Sequence, residues 1–157
     1  MGKAIAYTVA ATLAMAAILQ ALFGNPDTGM FAFPVNAAVL LVLVGGLFVL
    51  NREAGGSRFV AALASGRAAV TVIVLAALCC LPVALWPAIE FQRSWIFDAV
   101  MLLSLAVLLL ATLRYRGTMR LRFRLNHAGL FIFAAALFFG SADTQRLRTA
   151  VDIGEST

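Results

Sequence analysis

The chain has 157 residues, of which 63% are hydrophobic and only 12% are charged, whereas a soluble domain carries about 25% charged residues. This composition predicts an integral membrane protein and excludes a water-soluble catalytic domain, because too few residues remain outside the apolar segments to build one. The net charge of +5 does not favour nucleic-acid binding, since the arginines flank apolar segments and form no surface that covers several phosphates. We therefore predict that membrane lipid surrounds the chain.

Five apolar segments are long enough to cross a bilayer, which takes about 20 helical residues. They cover residues 4–23, 30–50, 68–86, 95–113 and 126–140. We predict an all-α, polytopic bundle of about five transmembrane helices in a single membrane domain, residues 1–157. The first segment is predicted to be a retained helix rather than a cleaved signal peptide, because no small-x-small cleavage site closes it.

The basic residues predict the orientation of the bundle. Nine of them lie on one side of the predicted membrane, together with the single acid Glu53: Lys3, Arg52, Arg58, Arg67, Arg114, Arg116, Arg120, Arg122 and Arg124. Cytoplasmic loops carry an excess of Lys and Arg. We therefore predict that the N-terminus is inside and the C-terminus outside.

The connections add three features. Residues 55–66 place Phe59, Val60 and Leu63 on one face of a short helix, which predicts a segment lying in the membrane interface. Trp86 and Trp95 bracket the second outer loop, a pattern typical of the aromatic belt at the headgroups. Residues 141–157 form a predicted outer tail.

His127 is the only histidine and opens the fifth segment. A neutral imidazole is the usual axial ligand of haem iron, and Gly129 leaves room for a flat ring. Without other information, such a histidine is more often a hydrogen-bonded cap. It cannot make a zinc site alone, because zinc needs three or four ligands.

Several charged and thiol side chains have both a structural and a functional interpretation. Arg122 and Arg124, beside Asn126, either set the topology or bind carboxylates such as haem propionates. Asp98 either carries a function within the membrane or reaches the headgroups from its place one turn into the fourth segment. Asp143 is either a solvated cap after the fifth segment, or it caps the stretch 144–151 or pairs with Arg146 or Arg148. Cys79 and Cys80 are interpreted as small packing residues.

Three stretches of sequence carry a family resemblance. They are RFVAALAS at 58–65, SWIF at 94–97 with LRYR at 113–116, and NHAGLF at 126–131 followed by GSAD at 140–143. Together they resemble the membrane part of the ResB (Ccs1) family of System II cytochrome c biogenesis. The resemblance implies a bacterial inner-membrane protein that handles haem with a CcsA-type partner and serves apocytochrome c, with His127 as the haem ligand.

This chain is also expected to differ from the ResB family in its length. ResB proteins continue into a large outer domain and a final membrane helix, so we expect this chain to be a shortened relative or a fragment, and apocytochrome binding stays open. The chain is expected to be a non-catalytic subunit. Two alternatives are a cofactor-free scaffold subunit and a small transporter. A transporter needs polar residues in the bundle, and few occur: Thr12, Gln20, Asn36, Thr71, Ser104 and Thr112.

Overall fold

The computed structural model describes residues 2–27, 32–115, 117 and 120–140, without the side chains of Pro87 and Arg120. Its helices are α1 (Gly2–Phe23), α2 (Val35–Glu53), α3 (Arg58–Leu63), α4 (Gly66–Leu85), α5 (Trp95–Arg114) and α6 (Arg120–Gly140), with short 3₁₀ turns at Pro87–Ile89 and Phe91–Arg93. The described residues contain no strand. The tail 141–157, including Asp143, lies outside the described residues.

All the helices except α3 are long and apolar enough to cross a membrane. The prediction of an all-α fold with about five such helices is therefore confirmed. Serine residues cap the starts of two of these spanning helices, because a serine oxygen satisfies a backbone N–H that the first helical turn leaves free. The Ser65 hydroxyl accepts from the Ala68 N–H at 3.3 Å at the start of α4, and the Ser94 hydroxyl accepts from the Phe97 N–H at 3.2 Å at the start of α5.

The fifth spanning helix differs most from the prediction. It begins at Arg120 rather than at residue 126, so the basic residues Arg122 and Arg124 lie on its first turns and not in a loop. Arginine is a good helix former, and its long aliphatic stem lets the charge reach water while the helix enters lipid.

The short helix α3 lies within residues 55–66, whose place in the membrane interface stays a prediction. Val60 is fully buried and Leu63 nearly so, and both pack against Leu110 of α5. Only Phe59 of the predicted apolar face remains exposed. The apolar face of α3 therefore contacts the bundle.

Helix α5 is the centre of the bundle and packs against all five other described helices. Its buried residues are Val100, Leu105, Val107, Leu109, Leu110 and Thr112. Leu105 and Leu109 contact α6 through Phe131 and Ala135. A helix that is apolar all round and enclosed by neighbours is expected at a core position.

The helices alternate in direction, which gives the bundle two chemically distinct ends. We call the end with Arg67, Arg114 and Arg124 the basic end, and the end with Trp86 and Trp95 the tryptophan end. At the basic end Arg114, the last residue of α5, donates through Nη1 to the Gly55 carbonyl at 2.6 Å. At the tryptophan end the Gln20 Oε1 accepts from the Trp95 N–H at 3.0 Å.

Candidate functional site

His127 lies in the second turn of α6 at the basic end, where it is half-buried. Its Nδ1 is 3.0 Å from the carbonyl oxygen of Phe123, one turn earlier on the same helix. A carbonyl oxygen only accepts hydrogen bonds, so this contact places a proton on Nδ1. In the neutral imidazole Nε2 then holds the lone pair. This tautomer is the one in which a histidine binds a metal through Nε2.

Two aromatic rings orient the imidazole. The Phe123 ring stacks on His127 with ring centroids 3.7 Å apart and planes inclined by 20°. The Tyr115 ring, from the end of α5, stacks on the other face of Phe123 at 3.7 Å and 13°. Because the stack joins α6 to the end of α5, it holds the imidazole against the bundle and limits its rotation.

The basic side chains near His127 differ in their position around α6. Successive residues of a helix are rotated by 100°, so Arg124 lies about 60° from His127, whereas Asn126 and Arg122 lie about 100° and about 140° away. The structure thus places Arg124 beside His127 and turns Arg122 towards the other side of the helix. Arg122, Arg124 and Asn126 are all exposed, and their roles stay predictions.

Arg124 has a structural contact of its own. Its Nη2 donates to the Leu113 carbonyl at 3.4 Å, which is among the last carbonyls of α5 and so has no N–H partner within that helix. A cation at a helix C-terminus is also favoured by the helix dipole. The remaining guanidinium N–H groups are exposed and able to bind an anion.

A second arginine fixes the loop beneath the site. Arg114 donates to the Gly55 carbonyl at 2.6 Å and lies 3.5 Å from the Asn51 Oδ1. A Cβ at Gly55 would clash with the Asn51 carbonyl oxygen, so the close approach of this loop to the last turn of α2 requires glycine. These contacts tie α2 and α3 to the end of α5 that carries Tyr115.

Sequence reasoning did not identify Phe123 and Tyr115. Phe123 lies four residues before His127, and residues four apart face the same side of a helix. This spacing indicates Phe123 only if the helix begins before residue 126, and the predicted helix began at 126. No local pattern indicates Tyr115, whose contact depends on how α5 meets α6.

The donor set suits haem better than a bare metal ion. Among the described residues, no three His, Cys, Asp or Glu side chains form a group that could hold a metal ion. Haem brings four ring nitrogens of its own and needs only an axial ligand from the protein. The Nε2 lone pair of His127, with the exposed Arg124 beside it, fits that requirement.

Comparisons of the chain with protein-family models, with curated proteins and with solved structures find no match. The resemblance to ResB therefore stays a prediction, and function has to be argued from the residues at the basic end.

Proposed function

We propose that the chain is a membrane subunit, similar to the membrane part of ResB, that handles haem in c-type cytochrome biogenesis. The observation that supports this most is the hydrogen bond from His127 Nδ1 to the Phe123 carbonyl, because it selects the metal-binding tautomer of the imidazole. That histidine stands within the NHAGLF stretch on which the resemblance depends.

Each residue at the basic end has a separate part in this proposal. Haem, when bound, supplies an iron that accepts a ligand lone pair and two propionates that need cations. His127 offers Nε2, the Phe123 carbonyl retains the Nδ1 proton, and the Phe123 ring limits rotation of the imidazole. Arg124 offers guanidinium N–H groups to a propionate.

The setting of this site is part of the same proposal. The basic end would face the cytoplasm of a bacterial inner membrane, in keeping with the distribution of Lys and Arg. A CcsA-type partner would carry out the covalent attachment to apocytochrome c, so the chain itself would not be an enzyme.

Absorbance spectroscopy of the full chain tests the haem role. The protein is purified in mild detergent after expression with the CcsA-type partner, and the Soret band is compared with that of His127→Ala. We expect the variant to lose most of the Soret absorbance, and added free imidazole to restore part of it by replacing the missing ligand. Leu125→Ala is the matched control, because Leu125 is exposed on the opposite side of α6.

Two results would contradict the proposal. An unchanged Soret band in His127→Ala would remove His127 as the ligand. Wild-type protein with no Soret band, even with the partner present, would remove haem altogether. If the wild-type protein shows no Soret band and the partner still co-purifies with His127→Ala, a cofactor-free scaffold function would explain both observations.

The transporter alternative receives little support from the polar residues of the bundle. The hydroxyls of Thr71, Ser104 and Thr112 donate to carbonyls of their own helices at 2.7–2.9 Å. Asn36 and Gln20 bond to neighbouring helices. The hydrogen-bonding groups of these five residues thus stabilise the helices. Of the six candidates this leaves Thr12, whereas a transport pathway needs several polar groups that face a permeant.

A further inference from the structure

A groove runs along the bundle at the tryptophan end, away from His127. Helices α1 and α6 flank it, α5 forms its floor, and its volume is about 610 Å³. It opens sideways, since the lining residue Met15 is 60% exposed. Binding sites for small molecules have volumes of about 300–1,000 Å³ and apolar walls with few polar groups.

One ionisable side chain lines this groove, that of Asp98 in the first turn of α5. In the part of the chain that the structure describes, its carboxylate makes no hydrogen bond or ion pair with another residue. Side chains on a helix lean towards its N-terminus, so the carboxylate points towards the level of Trp95, where tryptophan marks the headgroups. A carboxylate bordering lipid is costly unless a cation or donor pairs with it.

The length of the groove limits what it can hold. Along α5 the lining extends from Trp95 to Ala106, which at 1.5 Å per residue is about 16 Å. The hydrocarbon core is about 30 Å thick, so the groove spans one leaflet. A partner transmembrane helix would need about twice that length, whereas an acyl chain fits.

We propose that this groove binds one phospholipid of the adjacent leaflet that has a primary ammonium headgroup, as in phosphatidylethanolamine. The ammonium pairs with the Asp98 carboxylate, and an acyl chain lies on α5 between α1 and α6. Phosphatidylcholine has a cation without N–H groups and cannot make the charge-assisted hydrogen bond. Phosphatidylglycerol has a net negative charge, which Asp98 repels. The site is independent of the proposed haem function.

Native mass spectrometry of the full chain in mild detergent tests this assignment. Phosphatidylethanolamine, phosphatidylcholine and phosphatidylglycerol with identical acyl chains are added separately, and the bound fractions give apparent dissociation constants. We expect phosphatidylethanolamine to bind most tightly, and Asp98→Asn to weaken it by about tenfold, the scale of one charge-assisted hydrogen bond. Binding of the other two lipids should stay unchanged or increase.

Two further variants separate the headgroup from the chain. Glu90→Gln removes an exposed carboxylate at the same end that pairs with Arg93 at 2.9 Å, and it should leave the lipid preference unchanged. Ala106→Leu narrows the groove and should weaken all three lipids alike. Circular dichroism checks that each variant retains its helices.

Three results would overturn the assignment of a phosphatidylethanolamine site. Equal affinity of the wild type for the three lipids would overturn it without any variant, as would a preference that Asp98→Asn leaves intact. Lipid-free dimers of the wild type that Asp98→Asn dissociates would also overturn it, because the groove would then be an interface between two copies.

Discussion

Asn36 offers a direct test of how the helices are held together at the tryptophan end. It is 6% exposed, in the first turn of α2, and its Nδ2 donates to the Phe139 carbonyl at 3.0 Å. Its Oδ1 accepts from the Ala37 N–H at 2.7 Å. Phe139 lies near the end of the described part of α6, and Ala37 lies in the first turn of α2, whose first N–H groups have no helical acceptor. One side chain thus joins α2 to α6 and caps the start of α2.

Replacing Asn36 with Leu keeps a similar volume and removes both hydrogen bonds. A buried polar group left without its partner costs about 1–3 kcal/mol in soluble proteins. Hydrogen bonds between membrane helices average about 0.6 kcal/mol and reach about 1.7 kcal/mol, because the unfolded chain in a membrane also finds partners. With two backbone groups affected, we expect the free energy of unfolding to fall by about 1–2 kcal/mol.

Reversible unfolding in mixed detergent micelles, with increasing sodium dodecyl sulfate, measures this difference. The fluorescence of Trp86 and Trp95 reports the transition. Ser104→Ala is the matched control, because its hydroxyl donates to the Val100 carbonyl of its own helix at 2.8 Å. That carbonyl lies within α5, where it keeps its helical N–H partner, so the control should stay within about 0.5 kcal/mol of the wild type.

The comparison between the two variants decides the outcome. If Asn36→Leu also stays within about 0.5 kcal/mol of the wild type, then the hydrogen bond between α2 and α6 does not stabilise the bundle and the reasoning is refuted. Equal losses in both variants would equally refute it, because they would show that any polar deletion in the membrane has the same effect.

Two further predictions concern the basic end and the orientation. Arg114→Gln should lower the free energy of unfolding by about 1.5–3 kcal/mol, the scale of hydrogen bonds to a charged group, in the same micelle assay. Arg52→Gln, whose side chain is 88% exposed, should change it by less than about 0.5 kcal/mol; equal effects would contradict a locking role for Arg114. In a background without the native cysteines, Gly56→Cys should react with a membrane-impermeant maleimide only after the cells are opened, and Gln92→Cys in intact cells. The reverse pattern would invert the proposed topology.

The spanning helices were predictable because membrane insertion depends on length and hydropathy, which are properties of each segment alone. The start of α6 was not, since residues 120–125 alternate arginine with apolar residues and lack the continuous apolar pattern of a span. In this first part of α6 two side chains contact the end of α5: Arg124 donates to the Leu113 carbonyl, and Phe123 stacks on Tyr115. These contacts depend on tertiary structure, so hydropathy does not indicate them.

The candidate site was predictable in residue type but not in geometry. His127 stood out as the only histidine, and arginines stood near it in sequence. Which arginine lies beside it depends on the helical phase, which favours Arg124 over Arg122. The proton position on the imidazole depends on the Phe123 carbonyl. Asn36 looked like a polar group available to a permeant, and only the packing of α2 on α6 shows that it joins those helices.

The two proposed sites are far enough apart to be tested independently. His127 and the groove-lining Phe138 both lie on α6, eleven residues apart, which is about 16 Å along the helix axis. Effects of substitutions more than about 7–10 Å apart are usually additive. His127→Ala should therefore leave lipid preference intact, and Asp98→Asn should leave the Soret band intact. A variant that changed both would indicate a disturbance of α5 and α6 as a unit, because these are the helices that the two sites share.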